Sequence, residues 1–368
     1  MIVWVCYGIV ALIILQFCTL LIRIGFFWKN HSNPPSELPP VSVLVAARNE
    51  EAYLPDLLRS LENIDYPADK VEFLFADDQS SDRTTEILEH WCALAPNRSF
   101  ISIGSSQTAL YNENGKANAL GILAEKAKGD YYFFTDADCE VGGEWIREGI
   151  GSFSGNIGLL IGVTQVKAGS MLGRLQELDW WLTLGFVKVA TDLQIQTTGL
   201  GNNMVISQEA YVQCGGFKNL PFCLTEDLEI SRAIQKEGYG IAHQVSLGIL
   251  VKTKPETSLR SLMRQRKRWM HGMMTLPLYW KVVLGLQTGY YLGLIGLLIL
   301  MPKVGLALAL IKIAIQGLFL NGFANKAGQK INWIYLLFFD FYSSITTLLT
   351  ILYYFWPSKT NWKARIYP

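Results

Sequence analysis

Four charge-poor apolar runs constrain this 368-residue chain more than any other feature: residues 2–22, 278–300, 304–323 and 333–356. Each is long enough to cross about 30 Å of hydrocarbon as a helix. Lipid offers the backbone no hydrogen-bond partners, so a span must satisfy its own polar groups. Because the runs lie at the two ends, the pattern predicts a polar domain held between membrane anchors. The expected divisions are an anchor over 1–27, a Pro-rich linker over 28–40 (Pro34, Pro35, Pro39, Pro40) and a folded block over 41–257. An amphipathic helix over 258–277, about three membrane segments over 278–356 and a basic tail over 357–368 follow. The first run lacks a small-x-small cleavage site and a charged leading region, so it reads as a retained anchor, not a signal peptide.

Charge orients the chain. Arg23 and Lys29 follow the first run, and the 326–330 loop carries lysines, which places the middle block on the cytoplasmic side, with a bacterial cell inner membrane as the expected membrane. Lys359, Lys363 and Arg365 oppose four simple crossings, so one C-terminal segment is expected to be re-entrant or interfacial. A net charge of +1 argues against a nucleic-acid partner. The six cysteines show no C-x-x-C spacing and no disulfide framework, which fits a reducing compartment.

The middle block alternates strand and helix patterns. Apolar runs at 41–46, 73–76, 101–103 and 131–135 read as buried strands. Helices are expected from Asn49, with Leu54, Leu57, Leu58 and Leu61 on one face, from about 83 to 94, and from 116 to 126. Such alternation implies an α/β fold with a mainly parallel sheet and ligands at the carboxyl ends of its strands. Both acidic clusters, Asp77-Asp78 and Asp136-Ala137-Asp138, fall at such ends. Side chains at i and i+2 of an extended segment point the same way, so Asp136 and Asp138 can serve one site. Oxygen-only ligands suit Mg²⁺ or Mn²⁺, which share their shell with phosphate oxygens. A turn with solvated carboxylates is the competing reading. There is no G-x-G-x-x-G and no G-x-x-x-x-G-K-[ST], which disfavours the usual dinucleotide and P-loop sites.

Over residues 41–269 the chain resembles the inverting family 2 glycosyltransferases, with their GT-A nucleotide-sugar-binding domain. Residues 41–51 (VSVLVAARNEE) look like the family's first strand and helix start. Asp77-Asp-Gln-Ser-Ser-Asp82 is similar to its Asp-Asp-Gly-Ser-x-x-Asp turn, with Gln79 in place of glycine. Gly115-Lys116-Ala-Asn-Ala-Leu120 matches Gly-Lys-x-x-Ala-Leu, Asp136-Ala-Asp138 the metal motif, Thr225-Glu226-Asp227 the base motif, and Gln265-Arg-Lys-Arg268-Trp269 the Gln-x-x-Arg-Trp motif.

The resemblance implies a UDP-sugar donor and Mg²⁺ or Mn²⁺ held by Asp138 with Asp136 nearby. It implies contact of Asp77 or Asp78 with the uridine, with Glu50 close by, and of Lys116 with phosphate. Asp227 is the implied general base, next to Glu226. Arg268 is expected to steady the diphosphate and Trp269 to pack beside the acceptor, with Gln265 in the same motif. An acceptor hydroxyl is a poor nucleophile until its proton is removed, which is why a carboxylate is needed opposite the leaving group. The competing reading of Thr225-Glu226-Asp227 is a helix cap. The Gln-x-x-Arg-Trp motif is shared by processive synthases and by ceramide-glucosyltransferase-like enzymes. About three C-terminal segments favour one sugar added to a membrane lipid over a processive polysaccharide synthase. An inactive GT-A assembly subunit is the alternative of another class.

Four further segments carry expectations. In the helix over 260–271, Arg266 and Lys267 are expected to face lipid headgroups, with Leu262, Met263 and Met270 dipping into lipid. Leu178, Trp180, Trp181, Leu182, Leu184 and Phe186 form an apolar surface suited to the bilayer boundary or to burial under the C-terminal spans. Residues 199–203 read either as an acceptor loop, with Asn202 and Asn203 as hydrogen bonders, or as an ordinary turn. Lys312 and Asp340 lie inside apolar runs and are expected to pair.

Overall fold

The computed structural model describes residues 1–33, 35, 37–363 and 365–367; the expected linker residue Pro34 lies outside them, as do Ser36, Ala364 and Pro368. The chain forms two compact units: an α/β unit of residues 30–165 and 190–254, and a helical unit of residues 1–29, 166–189 and 255–368. The contiguous block expected over 41–257 therefore includes residues 166–189, which cluster with the helices.

The strands of the α/β unit are β1 (Val41–Ala47), β2 (Val71–Asp77), β3 (Arg98–Ser102), β4 (Tyr131–Thr135), β5 (Cys139–Glu140), β6 (Ile157–Ile161), β7 (Val163–Val166), β8 (Asn203–Ser207), β9 (Gly240–His243) and β10 (Leu250–Thr253). Seven of them form one sheet in the order β3-β2-β1-β4-β8-β6-β9, while β5, β10 and β7 form a smaller one. β1 to β4 pair in parallel, β6 pairs in parallel with β9, and β8 runs antiparallel to both β4 and β6. Mainly parallel pairing demands cover on both faces. Hence β1 buries Val43, Leu44 and Val45 without interruption, and β4 does the same with Tyr132, Phe133 and Phe134.

Parallel pairing brings the carboxyl ends of β1, β2 and β4 to one edge of the sheet. Because β8 is antiparallel, its beginning lies at that edge too, where Thr135 is in register with Asn203. The helix expected from Asn49 begins only at Leu54. Asn49 has φ +53°, so the chain turns before it can coil.

Among the described residues, the helical unit has four helices long and apolar enough to cross a membrane: Ile2–Phe26, Leu278–Leu300, Pro302–Lys326 and Trp333–Phe355. Ile2–Phe26 packs against the second and third of these. Lys312 pairs with Asp340 as expected, and its ammonium also lies 4.9 Å from the Tyr290 ring and 5.4 Å from that of Phe17.

The amphipathic helix runs Leu259–Thr275, capped by Ser258. Contrary to expectation, Arg266 and Lys267 are turned toward protein. Arg266 pairs with Asp179 and donates to Tyr342 Oη at 3.1 Å. Lys267 is buried and donates to the Trp356 carbonyl (3.2 Å), the Ser358 carbonyl (2.8 Å) and Ser358 Oγ (2.8 Å). Leu262, Met263 and Met270 are buried inside the protein instead of dipping into lipid. The physical reason is that carbonyls at a helix end need donors, and the helix Leu336–Phe355 offers them to Lys267. Leu178, Trp181 and Leu184 are buried as well. Trp181 meets Phe323 edge-on and Phe186 meets Phe17 and Phe319, so this surface takes the alternative of burial under the spans.

Candidate active site

Each acidic cluster takes its position from a strand that has just ended. Asp77 closes β2 and is buried; its Oδ1 accepts from Ser80 N (3.2 Å) and Ser80 Oγ (2.5 Å), and its Oδ2 from Thr85 Oγ1 (2.7 Å). Both of its oxygens therefore serve the turn. Gln79, where the family pattern has glycine, holds φ +58° and donates from Nε2 to Thr108 Oγ1 at 2.8 Å. The neighbouring Asp78 is buried beside Arg48, whose Nη1 donates to the Asp78 carbonyl (2.5 Å) and stands 3.9 Å from Asp78 Oδ2.

Lys116 occupies the centre of the second cluster. Its helix, Gly115–Ala124, is capped by Asn114, whose side chain accepts from the Lys116 and Ala117 amides. The Lys116 ammonium stands 2.5 Å from Asp136 Oδ1 and 3.1 Å from Glu226 Oε1. Burial pushes the lysine toward neutrality, but the carboxylates of Asp136, Glu226 and Asp227 outweigh it and raise its pKa above the ordinary value. Glu226 also accepts from Asn114 Nδ2 at 3.3 Å.

Asp227 lies in the first turn of the helix Glu226–Lys236. Its Oδ2 accepts from Gly201 N at 3.0 Å and its Oδ1 from Leu228 N at 2.9 Å. Thr225, the alternative helix cap, makes no side-chain capping bond. A Cβ built on Gly201 would stand 3.1 Å from Lys116 Nζ, 3.4 Å from Glu226 Oε1 and 3.5 Å from Asp227 Cβ. The absence of a side chain at 201 thus lets backbone approach the acids closely. The flanking asparagines hydrogen-bond to the protein itself. Asn203 is fully buried, accepts from Trp145 Nε1 at 3.0 Å and donates to the Val163 and Ile249 carbonyls at 2.8 Å each. Asn202 accepts from Thr164 Oγ1 at 3.2 Å.

Asp138 and Glu50 share another lysine. Lys254 Nζ is 3.3 Å from Asp138 Oδ2 and 3.4 Å from Glu50 Oε2, and 3.8 Å from the centre of the Tyr53 ring. Burial lowers its pKa, but Asp138 and Glu50 raise it more, so it stays above the ordinary lysine value. The α/β unit therefore joins Asp136, Lys116, Glu226 and Asp227 in one cluster, and Asp138, Lys254 and Glu50 in another. The donor set of Asp136 and Asp138 is oxygen only, with side chains 34% and 19% exposed. That fits a hard divalent cation, which fills the rest of its shell with water and phosphate oxygens.

Gln265, Arg268 and Trp269 belong to the helical unit. Gln265 donates to Glu256 Oε1 at 3.2 Å, and Trp269 meets Trp180 edge-on with ring centres 5.7 Å apart. Two site residues escaped the sequence. Arg48 stands directly after β1, where a cation between two acidic turns is a usable signal. Lys254 precedes a proline in no recognisable motif, and only its spatial neighbours reveal it.

A family model described as glycosyl transferase family 21 matches residues 5–368. The chain belongs to glycosyl transferase family 21. Among curated relatives, a Synechocystis beta-monoglucosyldiacylglycerol synthase is 27% identical over 67% of this chain and 53% of its own length. A Staphylococcus aureus poly-beta-1,6-N-acetyl-D-glucosamine synthase is 28% identical over 64% of this chain and 55% of its own. The chain thus spans about half the length of these relatives. A solved mannosyltransferase of Pyrobaculum calidifontis, in complex with GDP-Man and Mn²⁺, superposes with a TM-score of 0.65 at 16% identity, covering 98% of this chain and 100% of that one. At that identity the likeness establishes the α/β fold of this family 21 chain, which is the GT-A architecture expected from its motifs.

Proposed function

We propose that this family 21 chain is an inverting glycosyltransferase that moves a sugar from a UDP-sugar to a membrane lipid, with its α/β unit at the cytoplasmic face of a bacterial cell inner membrane. The observation that carries the reading is the Asp227 carboxylate, held by Gly201 N beside the Lys116–Asp136–Glu226 cluster. Asp227 takes the proton of the acceptor hydroxyl as its oxygen attacks the anomeric carbon. The bond to the nucleoside diphosphate breaks on the opposite face, inverting the configuration. Asp78 meets the nucleoside with Glu50 close by, while Asp77, engaged by Ser80 and Thr85, shapes the turn that presents Asp78. Lys116 meets the diphosphate. Asp138 and Asp136 would hold Mg²⁺ or Mn²⁺, and the chemistry such a cation supplies is neutralisation of the charge that develops on the leaving diphosphate.

A lipid acceptor is supported by the glucosyldiacylglycerol synthase relative and by the four apolar helices. The second reading, polymer synthesis, is favoured by the poly-N-acetylglucosamine synthase relative. Purified protein is to be incubated with UDP- and GDP-sugars and a membrane lipid extract, and the products weighed by mass spectrometry. One added sugar on a lipid supports the first reading, a ladder of masses the second. No nucleotide release with any donor rejects both. Asp227→Asn is expected to lower turnover about 10²- to 10⁴-fold with the fold intact by circular dichroism. Near-normal turnover would remove the base assignment.

A further inference from the structure

Lys254 has no part in the scheme above, yet its ammonium stands where two carboxylates from separate strand ends meet. It ends its segment just after β10, 3.3 Å from Asp138 Oδ2 and 3.4 Å from Glu50 Oε2, with the Tyr53 ring 3.8 Å away on another side. Glu50 is 2% exposed, so water supplies little of the counter-charge it needs. Two carboxylate oxygens and an aromatic face surrounding one point make a cage for a single cation, and the protein fills it with its own. Lys116 does the same for Asp136 and Glu226.

An incoming divalent cation must then compete with Lys254 for the Asp138 carboxylate and bear repulsion from an ammonium a few ångströms away. A nucleoside diphosphate changes that balance, because its phosphates give both positive charges an additional partner. We propose that Lys254 is a positioning residue that withholds Asp138 from a divalent cation until a nucleoside diphosphate arrives, so that the cation and the diphosphate enter together. The proposal rests on the reading of Asp138 as a cation ligand. It predicts positive coupling between the two ligands, with a size that depends on the charge at position 254.

The test is Mn²⁺ binding to the purified full chain in detergent, followed by the electron paramagnetic resonance of free Mn²⁺, with and without UDP. Wild-type protein is expected to bind Mn²⁺ weakly alone and at least about tenfold more tightly with UDP. Lys254→Met is expected to bind Mn²⁺ alone about tenfold more tightly than wild type, with the gain from UDP reduced to match. Lys254→Arg keeps the charge and is expected to follow wild type, which separates lost charge from a damaged fold. Equal Mn²⁺ affinity of Lys254→Met and wild type in the absence of UDP overturns the proposal. Asp138→Asn separates the two levels of failure. If it abolishes Mn²⁺ binding while Lys254→Met matches wild type, only the role of Lys254 falls. Mn²⁺ binding unaffected by Asp138→Asn removes the cation-ligand reading and the proposal with it.

Discussion

At the scale of single residues, Gln79 shows how a motif tolerates a wrong letter. The turn after β2 needs a left-handed residue, which is why the family pattern has glycine there, and Gln79 adopts φ +58° at a cost of about 1 kcal/mol. Its hydrogen bond to Thr108 offsets part of that. Glycine would relieve the strain but add freedom to the unfolded chain. Gln79→Gly is therefore expected to change unfolding free energy by less than about 1 kcal/mol, whereas Gln79→Val, β-branched and without the amide, should lose at least about 1 kcal/mol in denaturant titration. The positions of Asp77, Asp78, Asp136 and Asp138 were legible one by one because each stands at a strand end. Their counter-ions were not: Lys254 lies far along the chain from Glu50 and Asp138, and no local pattern encodes that meeting.

Elements were legible where their pattern is periodic. Four apolar runs became four helices within a few residues, and the four expected strands became the parallel half of the sheet. The helix Leu259–Thr275 was misread because its amphipathic pattern resembles that of an interfacial helix. Facing an apolar neighbour, it buries the same face and sends Lys267 to the carbonyls of residues 356 and 358. Lys267→Met should leave those acceptors without this donor and lower stability by about 1–3 kcal/mol, seen as a lower Tm in detergent. Lys267→Arg should recover part of the loss. An unchanged Tm for Lys267→Met would show that water satisfies the carbonyls equally well.

For the whole molecule, the pairing of Lys312 with Asp340 ties the helix Pro302–Lys326 to the helix that follows it. Lys312 is 3% exposed, so removing one partner strands the other charge in an apolar setting. Lys312→Met is expected to destabilise the helical unit by about 3 kcal/mol, read as a lower Tm in detergent. The double variant Lys312→Met with Asp340→Leu should regain most of that, because neither charge then remains. A double variant as unstable as the single one would mean that packing around Lys312 matters and the ion pair does not.

The sequence alone determined the four long apolar helices, the four parallel strands β1 to β4 and the acids that stand at the ends of β2 and β4, since each follows from periodicity and near neighbours. Only the tertiary structure decided which cation each acid holds, that Asn203 is a buried strut, and that Arg266 and Lys267 face protein. These outcomes depend on residues far apart in sequence meeting at one point, where burial makes an unpaired charge or carbonyl too costly to leave.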